Sequence, residues 1–212
     1  MRALPLADEF FLVGHDEYTG KPLVNSEVLD TGLAGAVLGE LLLAGRLIVD
    51  SNSVVLARDQ RPYGERVTDA ALAEVLKQRE PHPVRAWVEY LREHVRAMVA
   101  PRLVSLGLIQ KVQTRAVLRQ TIRFPATDPL KAASPRVRLR YVLDHPEHLD
   151  AQTAVMGGLV RATGLEHVLG AGTAREARDS LGRLVEQLPF ELQALCTGVD
   201  TAVAAVALTV RR

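Results

Sequence analysis

The chain has 212 residues, of which 48% are hydrophobic, 24% charged and only 4% aromatic, a balance that excludes a disordered chain and provides for a sizeable core. Leu, Val and Ala must build that core, which favours helices over an aromatic-rich β sandwich, and the lone Cys196 excludes an internal disulfide framework. The formal net charge is +1, and arginine greatly outnumbers lysine, as in chains from GC-rich bacterial genomes.

In chain order, Pro5 to Val13 reads as a short helix with Leu6, Phe10 and Val13 at helical spacing. Gly14 to Lys21 is a polar loop. Gly32 to Ala44 is an apolar helix that Asp30 or Thr31 caps and Gly45 closes. Leu47 to Val49 and Val54 to Leu56 follow as two strands around the turn Asp50-Ser51-Asn52-Ser53. Thr68 caps a helix from Asp69 to about Lys77. Glu80-Pro81-His82-Pro83 reads as a rigid joint. A long helix then runs from Val84 to about Val99, with Trp87, Leu91, Val95 and Met98 on its apolar stripe and a kink at Pro101. Gly107 ends the run. A second hairpin is expected over Leu108 to Arg123, with its turn at Gln113-Thr114. Helices starting at Ser134, Asp150, Thr173 and Pro189 complete the chain, the last reaching Val210. The expected architecture is mainly α, a single-domain helical bundle over residues 1–212 with short β-hairpins following helices.

No N-terminal stretch has the order of a signal peptide. The apolar run around Val203 to Val210 falls short of the ~20 residues that cross a bilayer, so the expectation is a cytoplasmic protein in a reducing compartment. Between Arg102 and Arg140 nine basic residues (Arg102, Lys111, Arg115, Arg119, Arg123, Lys131, Arg136, Arg138 and Arg140) face the single acid Asp128. Wherever those side chains converge they attract phosphates, unless acids elsewhere in the chain neutralise them. Catalytic sets are missing: the serines lack a nucleophile elbow, and His145-Pro146-Glu147-His148 lies in a proline-broken loop rather than at metal-ligand spacing on a helix. Gly170 to Thr173 reads as a capped turn and Cys196 as core. No enzyme, cofactor or metal is implied. Arg92 and Arg96, one helical turn apart, present forked donors that suit a phosphate.

The runs Leu6-Ala7-Asp8-Glu9-Phe10-Phe11-Leu12-Val13-Gly14, Thr31-Gly32-Leu33-Ala34-Gly35-Ala36, Glu40-Leu41 and Gly45-Arg46-Leu47 resemble the opening of the Golgi phosphoprotein three family. Arg96, Leu103-Val104 and Gly107-Leu108-Ile109 resemble its long helix and hairpin, and Phe124-Pro125 to Leu143 is similar to its bacterial members. The resemblance implies a helical peripheral membrane protein that binds phosphatidylinositol 4-phosphate and acts as an adaptor for membrane-protein clients. The family holds that headgroup with an early tryptophan, an arginine after Gly-Leu and two basic residues on the long helix. Here the first falls near Val24 or Asn25, the second is Ala34, and the pair corresponds to Glu93, with Arg92 beside it, and Arg96.

The resulting expectation is a non-enzymatic protein that docks on anionic phospholipid surfaces, with Arg92 and Arg96 on the headgroup phosphate. The hairpin, carrying Lys111, Arg115, Val117, Arg119, Ile122 and Arg123, would lie against the bilayer or form a homo-oligomer. The rival expectation is a winged-helix-like regulator with basic wing residues on nucleic acid.

Overall fold

Helix α1 (Leu6–Val13) is buried along its whole length, charged residues included. The computed structural model describes residues 4–116, 119–170 and 174–210, the side chains of 114–116, 119–120, 174 and 209–210 excepted. Helix α2 (Ser26–Leu43) packs against α1 and also against α4 (Val84–Arg92), α8 (Ala151–Ala162) and α10 (Phe190–Val210). A helix surrounded on all sides needs no polar face. That explains the uninterrupted Leu33-Ala34-Gly35-Ala36-Val37-Leu38 run, whose apolar side chains are buried throughout. Around this centre lie α3 (Arg66–Lys77), α5 (Val95–Ser105), the short α6 (Pro129–Ala132), α7 (Ser134–Asp144) and α9 (Ala174–Glu186). The mainly helical expectation holds.

Small residues let the central helices approach closely. A Cβ added at Gly35 would lie 2.5 Å from Val199 Cγ2 on α10, and one at Gly158 on α8 would lie 2.3 Å from Cys196 Sγ. Cys196 is therefore core, as expected, and burial pushes its thiol up to about 12.

The glycine stops work as the spacing requires. Gly45 and Gly107 have φ of 64° and 68°. At the first, Arg46 N–H reaches Leu41 O at 2.8 Å and Gly45 N–H reaches Leu42 O at 3.0 Å. At the second, Leu108 N–H reaches Leu103 O and Gly107 N–H reaches Val104 O, both at 3.0 Å. This paired closure satisfies the orphan carbonyls and turns the chain into the following strand.

The strands themselves differ from expectation in three ways. β1 (Leu47–Val49) and β2 (Val54–Ala57) pair antiparallel, with Ile48 opposite Leu56. A third strand, β3 (His82–Pro83), then adds to β2 with Val55 opposite His82. The proline joint is thus an edge strand, where a missing N–H is tolerated. In the second hairpin, β4 (Val112–Ala116) pairs with β5 (Arg119–Arg123). Gln113 and Thr114 therefore lie within a strand, not a turn. Leu108 to Gln110 is a lead-in, joined to the far arm only by the bridge Ile109 to Ala126.

Helix boundaries also move. α2 begins at Ser26, capped by Asn25, whose side chain accepts from Glu27 N–H at 2.8 Å. α3 begins at Arg66 under the Glu65 carboxylate, which accepts from Val67 and Thr68 N–H. The long helix is two, parted at Glu93 and His94, although the apolar period Val84, Val88, Leu91, Val95, Val99 runs through the break unshifted. α5 continues past Pro101. α8 is capped by Asp150, as expected. The Thr173 cap lies outside the described residues. α10 also corrects the length argument: Phe190–Leu208 is long and apolar enough to cross a membrane by length and composition alone. Its Leu195, Val199 and Ala202 are fully buried in the core instead.

A polar network runs through this core. Ala7 N–H donates to Glu40 Oε1 at 2.8 Å, and the Thr68 hydroxyl donates to Glu40 Oε2. Asp8 pairs with Arg102, which also pairs with Glu65. Glu9 takes a fork of two bonds from Arg138, at 2.9 and 2.5 Å, and a third from Gln152 at 2.9 Å. Thr68, expected as a cap, is thus a core donor.

Two outcomes test this packing. Gly158→Ala should lose about 1–3 kcal/mol in urea titration, as overpacking does. Adding Cys196→Ala should recover much of the loss, since Sγ is the nearest clashing atom. An innocuous single variant refutes the close approach.

The second outcome concerns pH. Burial raises Glu40 to about 7 against the pull of Ala7 N–H and Thr68, and raises Asp8 to about 6 against Arg102. Their ordinary values are 4.5 and 3.8, so the folded state holds protons that the unfolded chain has released. Stability then falls as pH rises through that interval. His15 acts oppositely, because burial lowers it from 6.5 to about 4, so its contribution is lost as pH falls through that range. The two carboxylates outweigh the one imidazole, so across these three groups the thermal midpoint should fall as pH rises from about 5 to about 8. Glu40→Gln should raise the midpoint at about pH 8 and flatten the alkaline limb. An unchanged limb would show that Glu40 does not titrate as its burial requires.

Candidate phosphate site at the start of helix α2

The first turn of α2 carries Ser26 and Glu27, and Asp30 opens the second turn, four residues after Ser26 and on the same face. Arg96, in the first turn of α5, reaches across to that face. Its Nε donates to Asp30 Oδ1 at 2.6 Å, and a terminal nitrogen donates to the Ser26 carbonyl at 2.6 Å. Arg92, the last residue of α4, also acts on Asp30 electrostatically. Across the break at Glu93 and His94, Arg96 pairs with this carboxylate while Arg92 acts on it only through space. Burial holds the Asp30 carboxyl above its ordinary value, and Arg96 and then Arg92 pull it back.

Behind Arg96 lies a ring stack. Phe11 and His15 overlap with centroids 4.0 Å apart, and Phe124 meets Phe11 edge-on at 5.5 Å. His15 Nδ1 lies 2.7 Å from Phe11 O. Arg96 adds to the burial that keeps the imidazole neutral. Phe124 follows directly on β5, so the ring stack reaches the base of the hairpin. The loop from Gly14 to Pro22 braces that base, with Phe124 N–H donating to Gly20 O at 3.1 Å and Ala126 N–H to Glu17 O at 2.9 Å. Gly20, at φ 64°, is pressed so close that a Cβ would lie 2.1 Å from Pro125 N.

The hairpin register sets which residues share a face. Val112 faces Arg123 and Ala116 faces Arg119, while Gln113 faces Ile122 and Arg115 faces Gln120. Directly opposed residues share a face and alternate along the strand. Val112 and Arg123 therefore share one face, and Gln113 and Ile122 the other. Lys111 is exposed, as are Val112 and Ile122 at 40% and 43%. Val117 lies outside the described residues, as do the side chains of Arg115 and Arg119.

Much of the basic segment does not form a positive surface. Arg102 is taken by Asp8 and Glu65, Arg136 by Glu17 at 2.9 Å, and Arg138 by Glu9 at 2.5 Å. Arg140 donates to the carbonyls of Leu169 and Gly170. Lys131 pairs with Asp128 at 3.6 Å. The acids near the N-terminus thus neutralise Arg102, Arg136 and Arg138.

The sequence reading named Arg92 and Arg96 as site residues but not Asp30 and Ser26, which Arg96 meets, nor His15. Asp30 had a signal, since an acid four residues after a helix start can face a neighbouring helix; it was absorbed by the expected cap. Ala34, the position corresponding to the family's arginine, is fully buried and faces no solvent. Asn25 is occupied as the α2 cap. Among the described residues no three His, Cys, Asp or Glu side chains converge as a metal site. His145 and His148 instead stand beside Tyr141 and Glu147.

A family model described as Golgi phosphoprotein 3 (GPP34) matches residues 6–210, from the start of α1 to the end of α10, and the chain belongs to that family.

Proposed function

We propose that this protein is a non-enzymatic peripheral membrane protein that docks on anionic phospholipid surfaces, with Arg92 and Arg96 gripping a headgroup phosphate at the start of α2. The observation that carries the reading is the Arg96 guanidinium held at the start of α2 by the Asp30 carboxylate and the Ser26 carbonyl, with Arg92 acting on the same carboxylate through space. An incoming phosphate meets two guanidinium groups and a helix N-terminus, each of which favours an anion. It competes with Asp30, which holds Arg96 at rest. Docking then amounts to exchanging an internal carboxylate for an external phosphate. Because the two partners are alike in chemistry, the net gain is small and the binding reversible.

Headgroup selectivity is weak in this reading. Ala34 is in the core and Asn25 is spent on capping, so two of the family's headgroup positions offer nothing to an inositol ring. The basic hairpin adds a second contact, either with the bilayer or with another copy of the chain; each basic residue near an anionic surface contributes about 1 kcal/mol. Clients, where they exist, would be membrane proteins held near that surface. The nucleic-acid reading loses support, because Arg102, Arg136 and Arg138 are committed to internal acids.

Liposome co-sedimentation tests the reading. Arg92→Ala with Arg96→Ala should weaken binding to vesicles containing phosphatidylinositol 4-phosphate, and binding should fall with added salt. Asp30→Asn should strengthen binding several-fold, because it frees Arg96 while keeping a side chain of similar size. Phosphatidylserine vesicles should bind almost as well. Equal binding to neutral and anionic vesicles, unaffected by any of the three substitutions, overturns the proposal. For the hairpin, deleting Gln113 to Thr121 should lower the mass seen by light scattering with helicity retained. A wild type that is already monomeric rejects assembly through it.

A further inference from the structure

Asp30 and Arg96 shield each other from water. Arg96 Nε donates to Asp30 Oδ1 at 2.6 Å, and the two side chains are only 27% and 21% exposed, Arg96 and Asp30 in that order. A carboxylate withdrawn this far keeps its charge because a cation stands against it. Burial opposes the Asp30 charge most strongly. Arg96 of α5 and then Arg92 at the end of α4 restore it, and Glu27 on α2 itself works against it. On α1, Arg96 also acts on His15, which burial holds at about 4, so that ring stays neutral above this pH.

In the docking proposed above, the Arg96 guanidinium turns to a headgroup phosphate. Asp30 then loses the cation it is bonded to and gains an anion close by. Both changes disfavour a carboxylate that is already desolvated. Arg92 is drawn to the same phosphate, so it does not replace what is lost. A neutral carboxylic acid escapes the conflict, and its O–H can donate to a phosphate oxygen. We propose that docking on an anionic surface takes up a proton at Asp30, so that acid strengthens binding. This inference rests on the docking reading and adds its regulation. The proton comes from solvent and stays on the carboxyl group. An anionic bilayer assists, because its surface potential concentrates protons as it does other cations. The linkage is reciprocal: docking favours the protonated form, and the protonated form favours docking by the same factor.

Co-sedimentation of the full chain with phosphatidylglycerol vesicles, from about pH 7.5 to about pH 5 at constant ionic strength, tests the coupling. The lipid phosphodiester keeps its charge across this range and supplies no pH dependence of its own. The fold holds as well, since protonation of the buried Asp8 and Glu40 favours the folded state there. His94 is exposed in the break between α4 and α5. His94→Gln in every protein compared removes an imidazole beside the arginines as a rival source of charge. Asp30→Asn stands in for the protonated form. It should bind the tighter at about pH 7.5, and the protein that keeps Asp30 should approach it as pH falls, gaining up to about tenfold per pH unit. In weakly buffered suspension with an indicator dye, mixing with vesicles should withdraw up to about one more proton per chain where Asp30 is present. Binding curves that stay the same distance apart at every pH, or equal proton uptake, overturn the coupling and leave docking intact. Failure of both proteins to bind anionic vesicles at any pH overturns the docking reading and the coupling with it.

Discussion

Three buried carboxylates organise this molecule. Asp8 and Glu9 on α1 and Glu40 on α2 are almost wholly withdrawn from solvent. An unpaired charge at such depth costs several kcal/mol. Each is therefore matched to a donor brought from a distant part of the chain. Arg102 comes from α5, Arg138 from α7, Thr68 from α3, and Glu40 in turn holds the Ala7 N–H at the start of α1. Any rearrangement that moved one of these helices would leave a charged group unpaired inside the core. The network thus sets where the helices sit more narrowly than apolar packing does, since Leu and Val tolerate sliding that a forked ion pair does not.

The same requirement decides how much charge remains outside. Arginines clustered between residues 102 and 140 would make a strongly basic face if left free. Instead three of them turn inward or lie along the surface to meet Asp8, Glu9 and Glu17. What reaches solvent from that segment is a smaller set. At the junction of α4 and α5 Arg96 is held by Asp30, so the corner is poised between an internal and an external anion. The phosphate reading depends on that exchange, and it follows from the placement of Asp30 one turn into α2.

Architecture and candidate site are linked through a few aromatic contacts. Phe11, on the fully buried α1, stacks on His15, and Phe124 closes against both. A shift at the hairpin base would thus be felt by the residues behind Arg96. On the far side of α4, Trp87 and Tyr90 join the small three-stranded sheet through His82. α4 thus carries the aromatic pair beside β3 and ends at Arg92, whose charge acts on Asp30 of α2.

Read alone, the sequence determined the elements whose signals are local. Helical period in Leu6 to Val13 and Val84 to Leu91, the glycine closures at Gly45 and Gly107, and the Asp150 cap each depend on residues within a turn or two of one another. Arg92 and Arg96 were read as one turn apart on one helix, and the break at Glu93 and His94 puts them on two. The tertiary structure alone decided what depends on residues far apart. Thr68 looked like a cap and became a donor to Glu40, 28 residues away. His82-Pro83 looked like a joint and became a strand because β2 offered it an edge. The arginines from 102 to 138 looked like a surface and became partners of acids 94 to 129 residues before them. A side chain's chemistry is fixed by its type, but whether it is spent on the fold or left for a ligand depends on which opposite charge the folded chain brings within reach.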